Sequence, residues 1–339
     1  MAPVFQAQPR PRRSAPPLPL AVLIVPLLAA ALLTLFAWPQ ARSGPSDLPV
    51  GLAGPPEAVT GLERELAERA PGIEATIYPD APAARDAIED REVYGALTVG
   101  PEGVGVLTAP AAGPAVAQLL EQAASSGPTA LPSSDPAPVE VVSAAASDPR
   151  GAAFSASLLP LLMVGILTGA LAWVLGRDVV GTLGFVTLAS ALAGIAAVAV
   201  VQGWLGVLEG GWLLNSAALA LVVLAIAVTA AGLMSLLGYA AGLGATAVTL
   251  ILIGNPWSGV SSAPELLPGP LGAIGQLLPP GAAGDLLRGT AFFDGAGTAD
   301  ALVVLVAWVG LGAAALVAAR ARVRAPVEAR AQSSPSSAA

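Results

Sequence analysis

Three residue types are missing from this sequence: cysteine, histidine and lysine. Without cysteine and histidine there is no zinc site of the usual kind, no thiol nucleophile, no histidine-ligated haem and no Ser-His-Asp relay. No disulfide can staple any part of the chain. Without lysine there is no P-loop, whose lysine must reach the nucleotide phosphates, and no Schiff-base chemistry. If ATP is used, another subunit must bind it. All 15 basic residues are therefore arginine, set among abundant Ala, Gly and Pro. That usage is associated with GC-rich bacterial genomes. Charge is scarce altogether, at 11% of the 339 residues, while 55% are hydrophobic. The mean hydropathy is +0.74. These values describe a polytopic membrane protein rather than a soluble enzyme.

What is present is organised around residues 154–255, which contain only three charges, Arg177, Asp178 and Glu209. Helices of a soluble domain would show polar faces, and here there is almost none. Apolar runs of about 20 residues match the hydrocarbon thickness of a bilayer, where backbone groups must be paired within the segment. The pattern predicts spans at 154–176, 179–201, 213–235 and 238–254, with two more at 18–38 and 299–319. The fold class expected is a six-span α-helical membrane protein carrying an extracytoplasmic α/β domain between its first two spans.

Taken in order, residues 1–17 are Pro-rich, carry Arg10, Arg12 and Arg13, and read as a disordered cytoplasmic tail. The run 18–38 is long enough to cross. A cleaved signal peptide is the competing reading, but its apolar core would be unusually long and Trp38-Pro39-Gln40-Ala41 is a poor cleavage site. Residues 39–153 hold 16 acidic residues and 6 arginines, a net charge of −10, and alternate strand-like and helix-like segments in the order β-α-β-α-β-β-α-β. Val59, Leu62 and Leu66 mark one helix face, and Gly100-Pro101-Glu102 marks a hairpin turn. Residues 125–138 read as a Ser/Pro-rich linker. The acids of this domain are spread over helix surfaces with no catalytic pair and no calcium loop. About 100 residues with their own apolar pattern predict independent folding.

Within the hydrophobic block, Gly165-x-x-x-Gly169 is a small-residue pair of the kind that lets helices approach closely. Arg177-Asp178 forms a very tight turn, either hydrated at the membrane surface or a buried ion pair. Trp38, Trp204, Trp212 and Trp257 fall at outer span ends and Trp173 near an inner one, where tryptophan prefers to sit. Residues 255–298 are too rich in Pro and Gly for a straight span and too apolar for an ordinary loop. Two short helices, 271–278 and 282–293, split by Pro279-Pro280-Gly281, would make a re-entrant hairpin; the alternative is an amphipathic surface loop. Asp285 and Arg288 stand three apart and are expected to pair on one helix face. The final span, 299–319, leads into Arg320, Arg322 and Arg324 and a disordered tail, 320–339. Arginines beside the first and last spans put both termini in the cytoplasm, in a multi-pass arrangement in the plasma membrane of a bacterium.

This layout resembles the type-2 ABC exporter permeases, and within them the branch with a large outer domain after the first span, which includes phage-infection-protein-like membrane proteins. The stretches that carry the likeness are Asp47-Leu-Pro-Val-Gly-Leu-Ala-Gly-Pro, Arg91-Glu-Val-Tyr-Gly-Ala-Leu and Leu278-Pro-Pro-Gly-Ala-Ala-Gly-Asp-Leu-Leu-Arg-Gly-Thr-Ala-Phe-Phe-Asp-Gly. The resemblance implies a homodimer or heterodimer of permeases driven by a cytoplasmic ATPase subunit, with no cofactor, metal or nucleic acid of its own. A re-entrant hairpin near the outer mouth would make Asp285 and Arg288 a gating pair, and the resemblance would make Arg177-Asp178 the cytoplasmic coupling turn. The family usually docks its ATPase between the second and third spans, where this chain has little beyond Gly176-Arg177-Asp178. The other functional class is a non-transporting membrane protein that presents its outer domain to a partner or ligand.

Overall fold

The computed structural model describes residues 18–100, 103–125 and 138–332. The N-terminal tail 1–17, the tip of the Gly100-Pro101-Glu102 turn, most of the Ser/Pro-rich linker and the last seven residues lie outside them.

The chain begins with helix α1 (Leu18–Ala41). A sheet unit follows in the expected order: β1 (Leu48–Ala53), α2 (Pro56–Arg69), β2 (Ile73–Tyr78), α3 (Ala81–Glu89), β3 (Gly95–Gly100), β4 (Gly103–Thr108), α4 (Pro114–Ser125) and β5 (Val139–Glu140). The strands lie in the order β2-β1-β3-β4-β5. β1 runs parallel to both β2 and β3, β3 and β4 form the antiparallel hairpin, and β5 joins β4 in parallel. Alternation along β1 explains the layering. Leu48, Val50 and Leu52 point to one face, with Val59, Leu97, Val116 and Leu120. Ala53 points to the other, with Ala84, Ile88, Ala96 and Leu107.

The remaining helices are α5 (Ala152–Val174), α6 (Val179–Val198), α7 (Trp212–Leu237), α8 (Tyr239–Ala247), a single turn α9 (Asn255–Trp257), α10 (Leu271–Gln276), α11 (Pro279–Phe292) and α12 (Ala299–Gln332). α6 and α8 continue as wider π-helical turns over Ala199–Trp204 and Val248–Gly254. The described residues contain five helical runs long and apolar enough to cross a membrane: Ala152–Val174, Val179–Trp204, Trp212–Leu237, Tyr239–Trp257 and Ala299–Arg322. α1 has a shorter apolar stretch, Pro26–Ala41. α7 is the central post, with α5, α6, α8, α11 and α12 packed around it. Glycines make the close approaches. A Cβ on Gly165 would sit 2.6 Å from Ile226 Cγ2, and one on Gly169 would sit 2.5 Å from the Ala227 carbonyl oxygen.

Three expectations change. The sheet unit does not close its own core: Ala263 and Leu266 complete one face and Phe293 the other, all from the segment before α12. The break between the two short helices falls at Leu277-Leu278 rather than at Pro279-Pro280-Gly281: the prolines open α11, where a missing N–H costs nothing because first-turn donors have no intrahelical acceptor. α12 also continues through Arg320, Arg322 and Arg324 to Gln332, where the sequence reads as a disordered tail.

Candidate functional site at the junction of sheet and helices

The sheet unit meets the helices through a small set of charged and aromatic side chains. Its first contributor is the end of α3. The Glu92 N–H reaches the Ala87 carbonyl at 2.9 Å and the Arg91 N–H reaches the Ile88 carbonyl at 3.1 Å, the paired bonds of a Schellman stop. Such a stop places its next residue in the left-handed region, which usually calls for glycine. Here that residue is Arg91, at φ 63°. A side chain there costs of order 1 kcal/mol over glycine.

That side chain crosses to the helical segment. The Arg91 guanidinium forms an ion pair with Asp285 of α11. It also donates to the backbone carbonyls of Asp285 at 3.3 Å and Ala296 at 3.5 Å, and lies over the Phe293 ring at 5.4 Å. Beside it, the Tyr94 hydroxyl donates to Glu265 at 2.8 Å. Glu265 sits on the short 3₁₀ turn Pro264–Leu266. Burial raises the Glu265 carboxyl above its usual range, against the lowering effect of its backbone and Tyr94 hydrogen bonds, and the neighbouring Asp285 charge adds to the rise. Burial and the same carboxylate push the Tyr94 hydroxyl well up.

Arg288 does not pair with Asp285. Its buried guanidinium donates to the Val260 carbonyl at 2.5 Å and lies over the Phe154 ring at 5.1 Å. Spacing brought the two residues onto one helix, but each meets a different neighbour: Asp285 faces the sheet unit and Arg288 faces α5 and the turn at Val260. α11 is buried against α7 and α12, so the 255–298 segment is a packed helical hairpin and not an exposed loop. A Cβ on Gly275 would fall 1.7 Å from the Trp257 carbonyl, which shows how tightly this segment folds on itself.

Between the sheet unit, this hairpin and α12 lies a cavity of about 600 Å³, within the range of small-molecule sites. Arg91, Tyr94, Glu265, Asp285 and Asp300 give it a polar wall, while Leu277, Val303 and Val304 give it an apolar one. Leu277 and Val303 are also exposed on the outside of the helices. The Trp308 indole donates to the Leu277 carbonyl at 2.9 Å and pins the hairpin to α12. Among the described residues no three His, Cys, Asp or Glu side chains gather as a metal site.

The other expected site lies at the far end of the helices. Asp178 caps α6, accepting from the Gly181 N–H at 3.0 Å, and forms no ion pair with Arg177. The Arg177 carbonyl instead accepts from the Arg320 guanidinium and from the Thr182 hydroxyl. The sequence names Asp285, Arg288, Arg177 and Asp178 as candidates but does not single out Arg91, Tyr94, Glu265 or Arg320. One signal for the first cluster is Arg91 itself, an arginine one residue beyond the α3 cap at a position where glycine is usual.

Comparison with known proteins finds no matching family model, no matching curated protein and no matching solved structure.

Proposed function

We propose that the chain is the membrane subunit of an exporter that moves an amphipathic, lipid-like cargo outward, using ATP hydrolysed by a separate subunit. The observation that carries this reading is the cavity with one polar and one apolar wall, bounded by a sheet unit, a packed hairpin and a long apolar helix. An amphiphile fits such walls; a bare ion does not need the apolar one. In this reading α1 is a sixth span, the sheet unit is extracytoplasmic, both termini are cytoplasmic, and two permease chains assemble in a bacterial plasma membrane. The resemblance to type-2 ABC exporter permeases supports the division of labour, as does the lack of any lysine for a P-loop.

The display reading is less well supported. A unit that only presents itself to a partner has no need to share its core with the helices, whereas this one takes Ala263, Leu266 and Phe293 from them. The test is affinity purification of the tagged chain in mild detergent from its own host. An ATPase subunit is expected to come with it, and hydrolysis by the complex should fall when Val304→Trp fills the cavity. Purification of the chain alone, with no associated ATPase, would overturn the reading.

A further inference from the structure

A second cleft, of about 250 Å³, opens at the opposite end of the helices, between α5, α6, α7 and α12. Its floor is apolar, made by Ala172, Ala231, Leu316 and Ala319. Its exposed rim carries Arg177 and Arg320, with Ser235 half-buried and Thr182 buried among the lining. Neither arginine forms an ion pair among the described residues. The one acid of the turn, Asp178, is engaged as the cap of α6 and does not line the cleft. Arg320 spends part of its donor fork on the Arg177 carbonyl, which leaves N–H groups of both guanidiniums unmatched, since arginine carries five.

Depth is marked independently. Trp173 lines the cleft, is exposed, and packs against the Tyr239 ring with centroids 5.2 Å apart. Exposed tryptophan and tyrosine at the ends of apolar helices mark the headgroup level of a bilayer. The cleft therefore has arginines at headgroup height above an apolar floor of buried side chains. That is the profile of an anionic phospholipid, with phosphate above and acyl chain below. A guanidinium fork matches phosphate oxygens in a way that an ammonium does not. Basic pockets between membrane helices recognise lipid headgroups on this principle. The α6 N-terminus at Val179 adds a favourable dipole, and the nearby ends of α5 and α7 oppose it, so the two arginines decide the sign.

We propose that this cleft is a binding site for the phosphate of an anionic phospholipid, held by Arg177 and Arg320. The proposal does not rest on the transport reading. It is tested with the full chain in detergent, by native mass spectrometry and thermal melting, after addition of phosphatidylglycerol, phosphatidylcholine or inorganic phosphate. The wild-type chain is expected to retain and be stabilised by phosphatidylglycerol, with affinity falling about fivefold for each of Arg177→Gln and Arg320→Gln. Arg64→Gln, in the sheet unit, controls for a general loss of charge. Melting without lipid shows whether the variants still fold; if Arg177→Gln does not, Arg320→Gln and Arg320→Lys, which keeps the charge but loses the guanidinium fork and should also weaken retention, carry the test. Equal retention by folded variants and wild type overturns the site. Phosphatidylcholine bound as tightly as phosphatidylglycerol overturns it as well. An equal response to inorganic phosphate assigns the cleft to a soluble anion and overturns the lipid.

Discussion

Arg91 and Asp285 stand 194 residues apart in sequence and form an ion pair across the junction between the sheet unit and α11. The pair is partly shielded, with side-chain exposures of 13% and 29%. Arg91 holds it from a left-handed backbone position that disfavours any side chain. Strain at the α3 stop is thus offset by a contact made far away.

This gives an ordered set of stabilities. Arg91→Ala keeps the strain and loses the contact, and is expected to cost about 1–3 kcal/mol. Arg91→Gly loses the contact but relieves the strain, and should be about 1 kcal/mol more stable than Arg91→Ala. Arg91→Ala with Asp285→Ala should cost less than the two singles added. Thermal melting in detergent orders the variants; strict additivity would show that the pair carries no coupling.

Glu265 makes the junction sensitive to pH. Its folded pKa lies above the ordinary value of 4.5, so the folded state holds the proton more tightly than the unfolded one. Its contribution is therefore full below the unfolded pKa and is lost as pH rises through the folded one. Melting temperature should decline as pH rises above the ordinary carboxylate range, and Glu265→Gln should flatten that part of the profile. An unchanged slope in the variant would show that another group sets it.

Helix α5 rests on α7 through Gly169, where an added methyl would meet the Ala227 backbone oxygen, and through Gly165, where it would meet the Ile226 side chain. Rotation of Ile226 would move its Cγ2 but not its Cβ, which lies 2.7 Å from the added methyl, so both substitutions force the two helix backbones apart. Gly165→Ala and Gly169→Ala are each expected to cost about 1–3 kcal/mol by overpacking. Melting of either variant at the wild-type temperature would show that α5 and α7 separate without cost.

The sheet unit is expected to fold poorly when expressed without the helices. Residues 45–145 lack Ala263, Leu266 and Phe293, which close both faces of the sheet. Sharp cooperative melting of that fragment would show these contacts to be dispensable.

The order β-α-β-α-β-β-α-β was legible in the sequence of the sheet unit, and apolar runs placed the five long helices within a few residues. Such signals are local, because period and length are properties of neighbouring residues. Asp285 was harder. Three-residue spacing pointed to Arg288, but the two side chains leave α11 in directions about 60° apart. Packing sends one to the sheet unit and the other to Phe154. Pairing between distant segments leaves no period to read. The pair Gly165 and Gly169 carried a local sign of close packing, while the identity of its partner, α7, came only with the fold.

Helix α7 is walled by other helices along most of its length, while α6 and α12 turn much of their surface outward. The two kinds of helix look alike in hydropathy, yet they face different rules of substitution. Leu188 or Leu192 of α6, both exposed, needs only to stay oily, and exchange for Val, Ile or Phe should pass unnoticed. Ala225, Ala227, Ala230 and Ala231 of α7 have no exposed surface, so even one added methylene must displace a neighbouring helix. Mutational tolerance along this chain should therefore follow volume on one helix and solubility in lipid on the others.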